Sequence, residues 1–216
     1  MTSDLLQYHL KELEIARDPS DPQHYLPPIG DGDGVILDVG CGIGQSTVHV
    51  DRSRNVTIVG LDMMLEPLMH GREIFNDIYF VSGKAEHLPF LDDIFDLVVS
   101  RVALPYSNVP ASISEIARVL RPGGRVWLSL YTFDMENRAF WREVLRFNLK
   151  GVIWRSVGLL NGVALHFSGR VFKVFGINGY KSFQTKKAMR GLLKKNGFCD
   201  IEFTTDKRLI VTASFA

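Results

Sequence analysis

The chain has 216 residues, 46% hydrophobic and 23% charged, which suits a soluble globular protein and suffices for one full core. A formal net charge of +1 provides no global field for nucleic acid, and two cysteines, Cys41 and Cys199, exclude a disulfide framework or a self-contained zinc site. The first residues lack the unbroken apolar core of a secretory signal, and no run of about 18 apolar residues occurs, so a reducing, cytoplasmic setting is expected.

Residues 4–17 place Leu5, Leu6, Leu10, Leu13 and Ile15 at helical spacing between charged positions, which predicts an amphipathic helix. The Pro-, Gly- and Asp-rich run up to residue 33 predicts loop. From there VILDVG (35–40), VTIVGLD (56–62), IYFVSG (78–83), FDLVVS (95–100) and GRVWLSL (124–130) are short apolar runs without alternation, as expected of strands buried on both faces. Helical stretches are expected at QSTVHVDR, EPLMHGREIF and SISEIARVL, with RPGG (121–124) turning the chain into the fifth strand. KKAMRGLLKKN predicts a further helix stopping at Gly197, and CDIEFTTDKRLIVTASF an antiparallel hairpin turning around Asp206 and Lys207. The whole predicts one α/β domain over 1–216: a Rossmann-like, doubly wound, mostly parallel seven-stranded sheet with an antiparallel C-terminal hairpin strand. Residues 134–181, aromatic, basic and punctuated by glycine, interrupt the alternation and predict a helical lid insertion, in which Gly151, Gly158 and Gly162 let helical pieces bend or end.

The sharpest local feature is ILDVGCGIGQST (36–47), which sets Gly40, Gly42 and Gly44 between a strand and a predicted helix. Glycines allow a sharp turn and close approach of a ligand, and free N–H groups at a helix start favour an anion. Asp62 ends the second strand about 20 residues on, where a carboxylate can accept hydrogen bonds from ribose hydroxyls. Asp38 sits at the buried end of an apolar strand, where a carboxylate needs a compensating cation. S-adenosylmethionine carries an ammonium group; a dinucleotide has none near its phosphates.

ILDVGCGIG resembles the first motif of class I S-adenosylmethionine-dependent methyltransferases. IVGLD, GKAEHLPFLDDIFDLVVS and EIARVLRPGGRVWLSL resemble the segments that follow it in order, over about residues 34–131. The nearest subgroup is the small-molecule, ubiquinone/menaquinone-type enzymes. The resemblance implies S-adenosyl-L-methionine as cofactor, with Asp38 and the backbone of Gly40, Cys41, Gly42 and Gly44 at its methionine end. It further implies Asp62 on the ribose, Met63, Ala85 and Glu86 around the adenine, and Arg101 and Val102 nearby. Lys84 departs from the pattern, because a lysine cannot accept a bond from the adenine amino group.

The implied reaction is in-line displacement at a methyl carbon toward a small, partly apolar acceptor, with no metal. The sequence names no catalytic base. After FDLVVS the chain reads RVALPYSN rather than an Asn-Pro-Pro-Tyr-like run, which points away from amide or ring-nitrogen acceptors on nucleic acids and proteins. Tyr106 either packs its loop or faces the acceptor, and His166 is either a core histidine or a base. His9, His24 and Tyr25 are more distant candidates. The aromatic and basic insertion predicts a lid over an apolar acceptor pocket, with a peripheral membrane or lipid contact as a further option. Alternatives are a catalytically silent S-adenosylmethionine-binding protein, an NAD-dependent oxidoreductase, and a protein or RNA methyltransferase.

Overall fold

The computed structural model describes residues 3–51, 53, 55–173, 179–205 and 208–216. The chain begins with α1 (Asp4–Arg17), capped by the Ser3 hydroxyl, which accepts from the Leu6 N–H. β1 (Val35–Val39), β2 (Thr57–Asp62), β3 (Ile78–Ser82), β4 (Phe95–Arg101) and β5 (Leu120–Leu130) follow, with α2 (Leu65–Ile74) between β2 and β3 and α3 (Val109–Val119) before β5. After β5 come α4 (Phe133–Leu145), α5 (Leu149–Ser168), α6 (Lys186–Lys195), β6 (Phe198–Thr205) and β7 (Leu209–Phe215). The expected hairpin turn at Asp206 and Lys207 lies outside the described residues.

The strands form one seven-stranded sheet in the order β3-β2-β1-β4-β5-β7-β6. The first five are parallel, and β7 enters antiparallel to both β5 and β6. The order reverses between β1 and β4, and such a switch point opens a crevice at the carboxyl ends of the strands. Alternate residues of β1 serve opposite faces. Leu37 and Val39 join the large core under α3 and α6, whereas Ile36 packs with Leu97, Val99 and Trp127 on the other face. Asp38 shares the parity of Ile36 and so faces the side that carries α1 and α2.

Two expectations are corrected. The predicted helix after β1 is only a 3-10 turn, Gln45–Thr47. Its place is taken by α1, whose Leu6 and Leu13 pack on Ile43 with Val48 beside them. Secondly, α5 runs unbroken through Gly151, Gly158 and Gly162, which therefore do not bend it. Gly158 and Gly162 make room instead: a Cβ at Gly158 would lie 2.5 Å from the Glu136 carboxylate, and one at Gly162 would collide with the Phe183 ring.

After α5 the chain returns across the sheet as a buried strap, Lys181 to Gln184. The Ser182 N–H donates to the Pro105 carbonyl at 2.9 Å, and the Gln184 N–H to the Tyr131 carbonyl at 2.7 Å. The strap thereby ties the loop after β4 to the end of β5.

Candidate functional site

Gly40, Gly42 and Gly44 take φ of 78°, 57° and 92°, the left-handed region that the turn out of β1 requires. Every N–H in this turn is already used within the protein. Gly40 and Cys41 donate to the Leu61 carbonyl at 2.7 and 3.1 Å, and Gly44 to the Cys41 carbonyl at 2.9 Å. Gly42 donates to Asp62 Oδ2 at 3.0 Å, and Ile43 to Gln45 Oε1 at 3.1 Å. The expected anion cradle of free N–H groups is therefore absent from the turn, and a three-residue 3-10 helix supplies no helix-length dipole to replace it.

Asp38 presents the opposite situation. It is 1% exposed, and neither of its carboxylate oxygens has a hydrogen-bond partner. Burial pushes its pKa up to about 7, and the Arg101 guanidinium and the Ser46 hydroxyl, which is near the carboxylate but outside hydrogen-bond geometry, only partly offset that. The Ser46 hydroxyl is itself buried without a hydrogen bond of its own. Arg101 is spoken for by Glu12 of α1, its Nη2 standing 2.5 Å from Glu12 Oε2. The site thus holds spent donors beside a spare acceptor, which suits a cationic hydrogen-bond donor.

Asp62 clasps the same turn through Oδ2 and accepts the Met64 N–H through Oδ1 at 2.9 Å. Each oxygen retains capacity for another donor. Met63 beside it is exposed. The Cys41 side chain turns away: it is fully buried, fits against Gly60, and has its thiol pKa driven up by burial. Ala85 is half-buried against the main core. Glu86 Oε1 accepts the Asn108 N–H at 2.8 Å, so part of its carboxylate holds the start of α3. Lys84 forms an isolated bridge with His87 and is exposed. Val102 has φ of 62°, unusual for a β-branched residue, just where the loop after β4 meets the glycine turn. A Cβ at Gly40 would collide with the Ala103 methyl of that loop.

α1 closes over this edge. The His9 ring fills the space a Gly42 side chain would need, and His9 Nδ1 lies 3.3 Å from Gln45 Nε2. Burial lowers the His9 pKa while the Asp62 and Glu12 charges oppose the shift. Tyr8 stands in the field of Glu12, Arg101 and Tyr131, linking this edge to the end of β5.

A second cluster, not identified from the sequence, lies at the carboxyl ends of β4 and β5. Lys181 of the strap is 2% exposed, and its Nζ sits 5.1, 5.7 and 5.4 Å from the ring centres of Tyr106, Tyr131 and Trp154. Glu136 of α4, fully buried, lies 3.6 Å from Lys181 Nζ and 3.2 Å from Arg155 Nη1. Burial pulls the Lys181 pKa down to about 8, with the Glu136 carboxylate resisting and Arg155 assisting. Burial likewise pushes the Tyr106 hydroxyl up to about 12. Only Tyr106 could be picked out in advance; its partners come from three separate segments.

The remaining candidates lie away from the glycine turn. His166 Nδ1 lies 2.8 Å from the Thr185 hydroxyl, and His24 Nδ1 lies 3.1 Å from the Ile15 carbonyl. Tyr25 stacks on Trp127 at 5.0 Å, in a cluster with Ile36, Leu97 and Val99. Two open grooves around Met135, Arg138 and Arg208 include none of the glycine turn; of the residues with orphaned buried atoms only Tyr25 lines one of them, and Asp38, Ser46 and Glu136 line neither.

Residues 37–128 match the protein family described as methyltransferase domain. An uncharacterized methyltransferase, sll0829, from Synechocystis is 42% identical over 93 residues, covering 41% of this chain and 43% of that protein. The malonyl-[acyl-carrier protein] O-methyltransferase of Erwinia pyrifoliae is 33% identical over 114 residues, covering 51% and 43%. The chain thus spans less than half the length of these relatives. Among solved structures, a SAM-dependent methyltransferase from Thermotoga maritima, described as a possible histamine N-methyltransferase, superposes with a TM-score of 0.56 at 14% identity. That superposition covers 98% of this chain and 91% of the other.

Proposed function

We propose that the edge around Asp38 binds S-adenosylmethionine and that the protein, whose residues 37–128 match the methyltransferase domain family, methylates a small organic acceptor. The observation that carries this is the pairing of an unpartnered, buried Asp38 carboxylate with a glycine turn whose N–H donors are all spent. A cofactor bearing an ammonium group satisfies Asp38, whereas a pyrophosphate finds no donors in the turn, which disfavours the NAD-dependent oxidoreductase.

Asp38 accepts from the amino group of the methionine moiety, and Asp62 uses its remaining lone pairs on the ribose hydroxyls. Met63 and Ala85 flank the adenine, with Glu86 at its edge. Gly40, Cys41, Gly42 and Gly44 contribute shape rather than donors. Arg101 and Val102 form the wall between this site and the acceptor. When bound, the cofactor supplies an electrophilic methyl group on a sulfonium; alignment and exclusion of water fall to the protein.

The acceptor side is formed by Tyr106, Tyr131 and Trp154 with Lys181 and Arg155. Flat rings around buried cations suit a planar or partly apolar molecule carrying an acidic hydroxyl or carboxylate, held as its anion so that no strong base is required. Incubation with methyl-labelled S-adenosylmethionine and a fractionated metabolite extract tests this. Label in an acidic small molecule together with formation of S-adenosylhomocysteine is expected. Cofactor binding without turnover on any fraction would identify a silent binding protein instead, and label only in protein or RNA would redirect the acceptor class.

A further inference from the structure

We propose that the outer face of α4 and α5 is a docking surface for an anionic lipid membrane. This face lies apart from the residues assigned to the cleft, and on it the usual polarity of a surface helix is inverted in α5. The face turned toward the protein carries Val157, Gly158, Asn161, Gly162 and Leu165, a set dominated by small and polar groups. The face turned to solvent carries Leu149, Ile153, Leu160, Val163 and Phe167, all exposed. At about 3.6 residues per turn these five fall within an arc of roughly 80°, a single stripe along the whole helix. An ordinary surface helix has the reverse arrangement. Trp141 and Leu145 of α4 are also exposed, and Phe147 between the helices is 95% exposed. None of these side chains forms part of the buried core clusters among the described residues.

Charge identifies the occupant. Residues 138–173 contain seven basic side chains and one acidic one, Glu143, so the rest of a chain with net charge +1 is net negative; Arg155 among the seven turns inward to Glu136, which leaves six outside the cleft cluster. Arg138 and Arg142 share the exposed side of α4 with Trp141 and Leu145, and Arg146 and Lys150 flank Phe147. Glu143 offsets them only in part: one carboxylate oxygen stands 4.0 Å from Arg142 Nε, and the other accepts from the Asn148 side chain at 2.8 Å. Lys187 of α6 extends the basic border, its Nζ 5.8 Å from the Phe167 ring. Apolar side chains ringed by arginine and lysine on helices lying in one surface are the arrangement of an interfacial segment, which sinks its apolar groups below the headgroups while its cations meet phosphate. A second copy is a poor occupant, because a two-fold interface would set like basic faces against each other. Among the described residues no helix is long and apolar enough to cross a membrane, so the contact is peripheral.

Vesicle flotation of the whole chain tests the proposal, using phosphatidylcholine with and without phosphatidylglycerol. Flotation with the anionic vesicles, weakened by salt, is expected. The Phe147→Ser/Phe167→Ser pair should reduce partitioning by about tenfold or more, and Arg142→Glu/Arg146→Glu should abolish the preference for anionic lipid. All four positions are exposed, so thermal melting should be unchanged and serves as the folding control. Failure to float with either vesicle, or equal partitioning of parent and variants, would overturn the proposal. So would a dimer in light scattering that the phenylalanine substitutions split, because a second copy would then cover the face.

Discussion

Asp62 has two tasks at one position. Its carboxylate closes the glycine turn through the Gly42 N–H and still offers lone pairs to a ribose. Asp62→Ala should cost about 2–4 kcal/mol in cofactor binding and also speed hydrogen exchange at the Gly42 amide. Unchanged affinity with faster exchange would confine Asp62 to the structural task. Lys181 poses a different test. Its pKa is lowered to about 8, so the ammonium is present below that pH and lost above it. If it holds an anionic acceptor, kcat/KM should fall as pH rises through about 8, and Lys181→Met should lower kcat/KM at neutral pH while sparing cofactor affinity. A flat profile in the parent would remove Lys181 from the acceptor site. Asp38 and Asp62 were legible in the sequence because each sits at a strand end that apolar patterning marks. The Lys181 cluster was not, because Glu136, Arg155 and Lys181 come from two helices and a strap whose docking no local spacing records.

Strand and helix positions were largely legible, since apolar runs, proline and caps act locally. α3 shows why: Asn108 caps it, Pro110 opens it, and Val109, Ile113, Ile116 and Ala117 recur on its buried side. The predicted helix at QSTVHVDR failed because a separate element, α1, packs on Ile43 and Val48 in its place. The insertion was legible as helical but not in its orientation. Its apolar residues suggested a cover for the crevice, yet Leu145, Phe147, Leu149, Leu160 and Phe167 point to solvent. The glycines were misjudged for a related reason, since a helix-breaking tendency of about 1 kcal/mol yields to close packing. Gly162→Ala should therefore destabilise by about 1–3 kcal/mol through the clash with Phe183, outweighing its gain in helix propensity. Gly191→Ala in α6 meets no atom within 4 Å and should stabilise by up to about 1 kcal/mol. Thermal melts of the two variants read the signs directly, and stabilisation by both would mean that α5 is not packed as described.

At the scale of the molecule, the sheet places every proposed cofactor contact at one edge, and its reversal between β1 and β4 makes that edge concave. The same arrangement leaves Asp38 costly without a ligand. Its folded pKa, about 7, lies above the ordinary value of 3.8, so the native state binds the proton more tightly. Free-protein stability should accordingly fall as pH rises from about 4 to 7, by roughly 4 kcal/mol at full effect. Asp38→Asn should melt above the parent at pH 8 and lose that advantage at pH 4. An equal offset at both pH values would show that the carboxylate is not strained. The most direct measurement is calorimetric titration with S-adenosylmethionine and, separately, NADH, on the parent and on Asp38→Asn at pH 8. Binding of S-adenosylmethionine at micromolar Kd, about −8 kcal/mol, is expected, weakened at least tenfold by Asp38→Asn, with no heat from NADH. Tight binding of NADH, or S-adenosylmethionine affinity indifferent to Asp38, would contradict the assignment of the site.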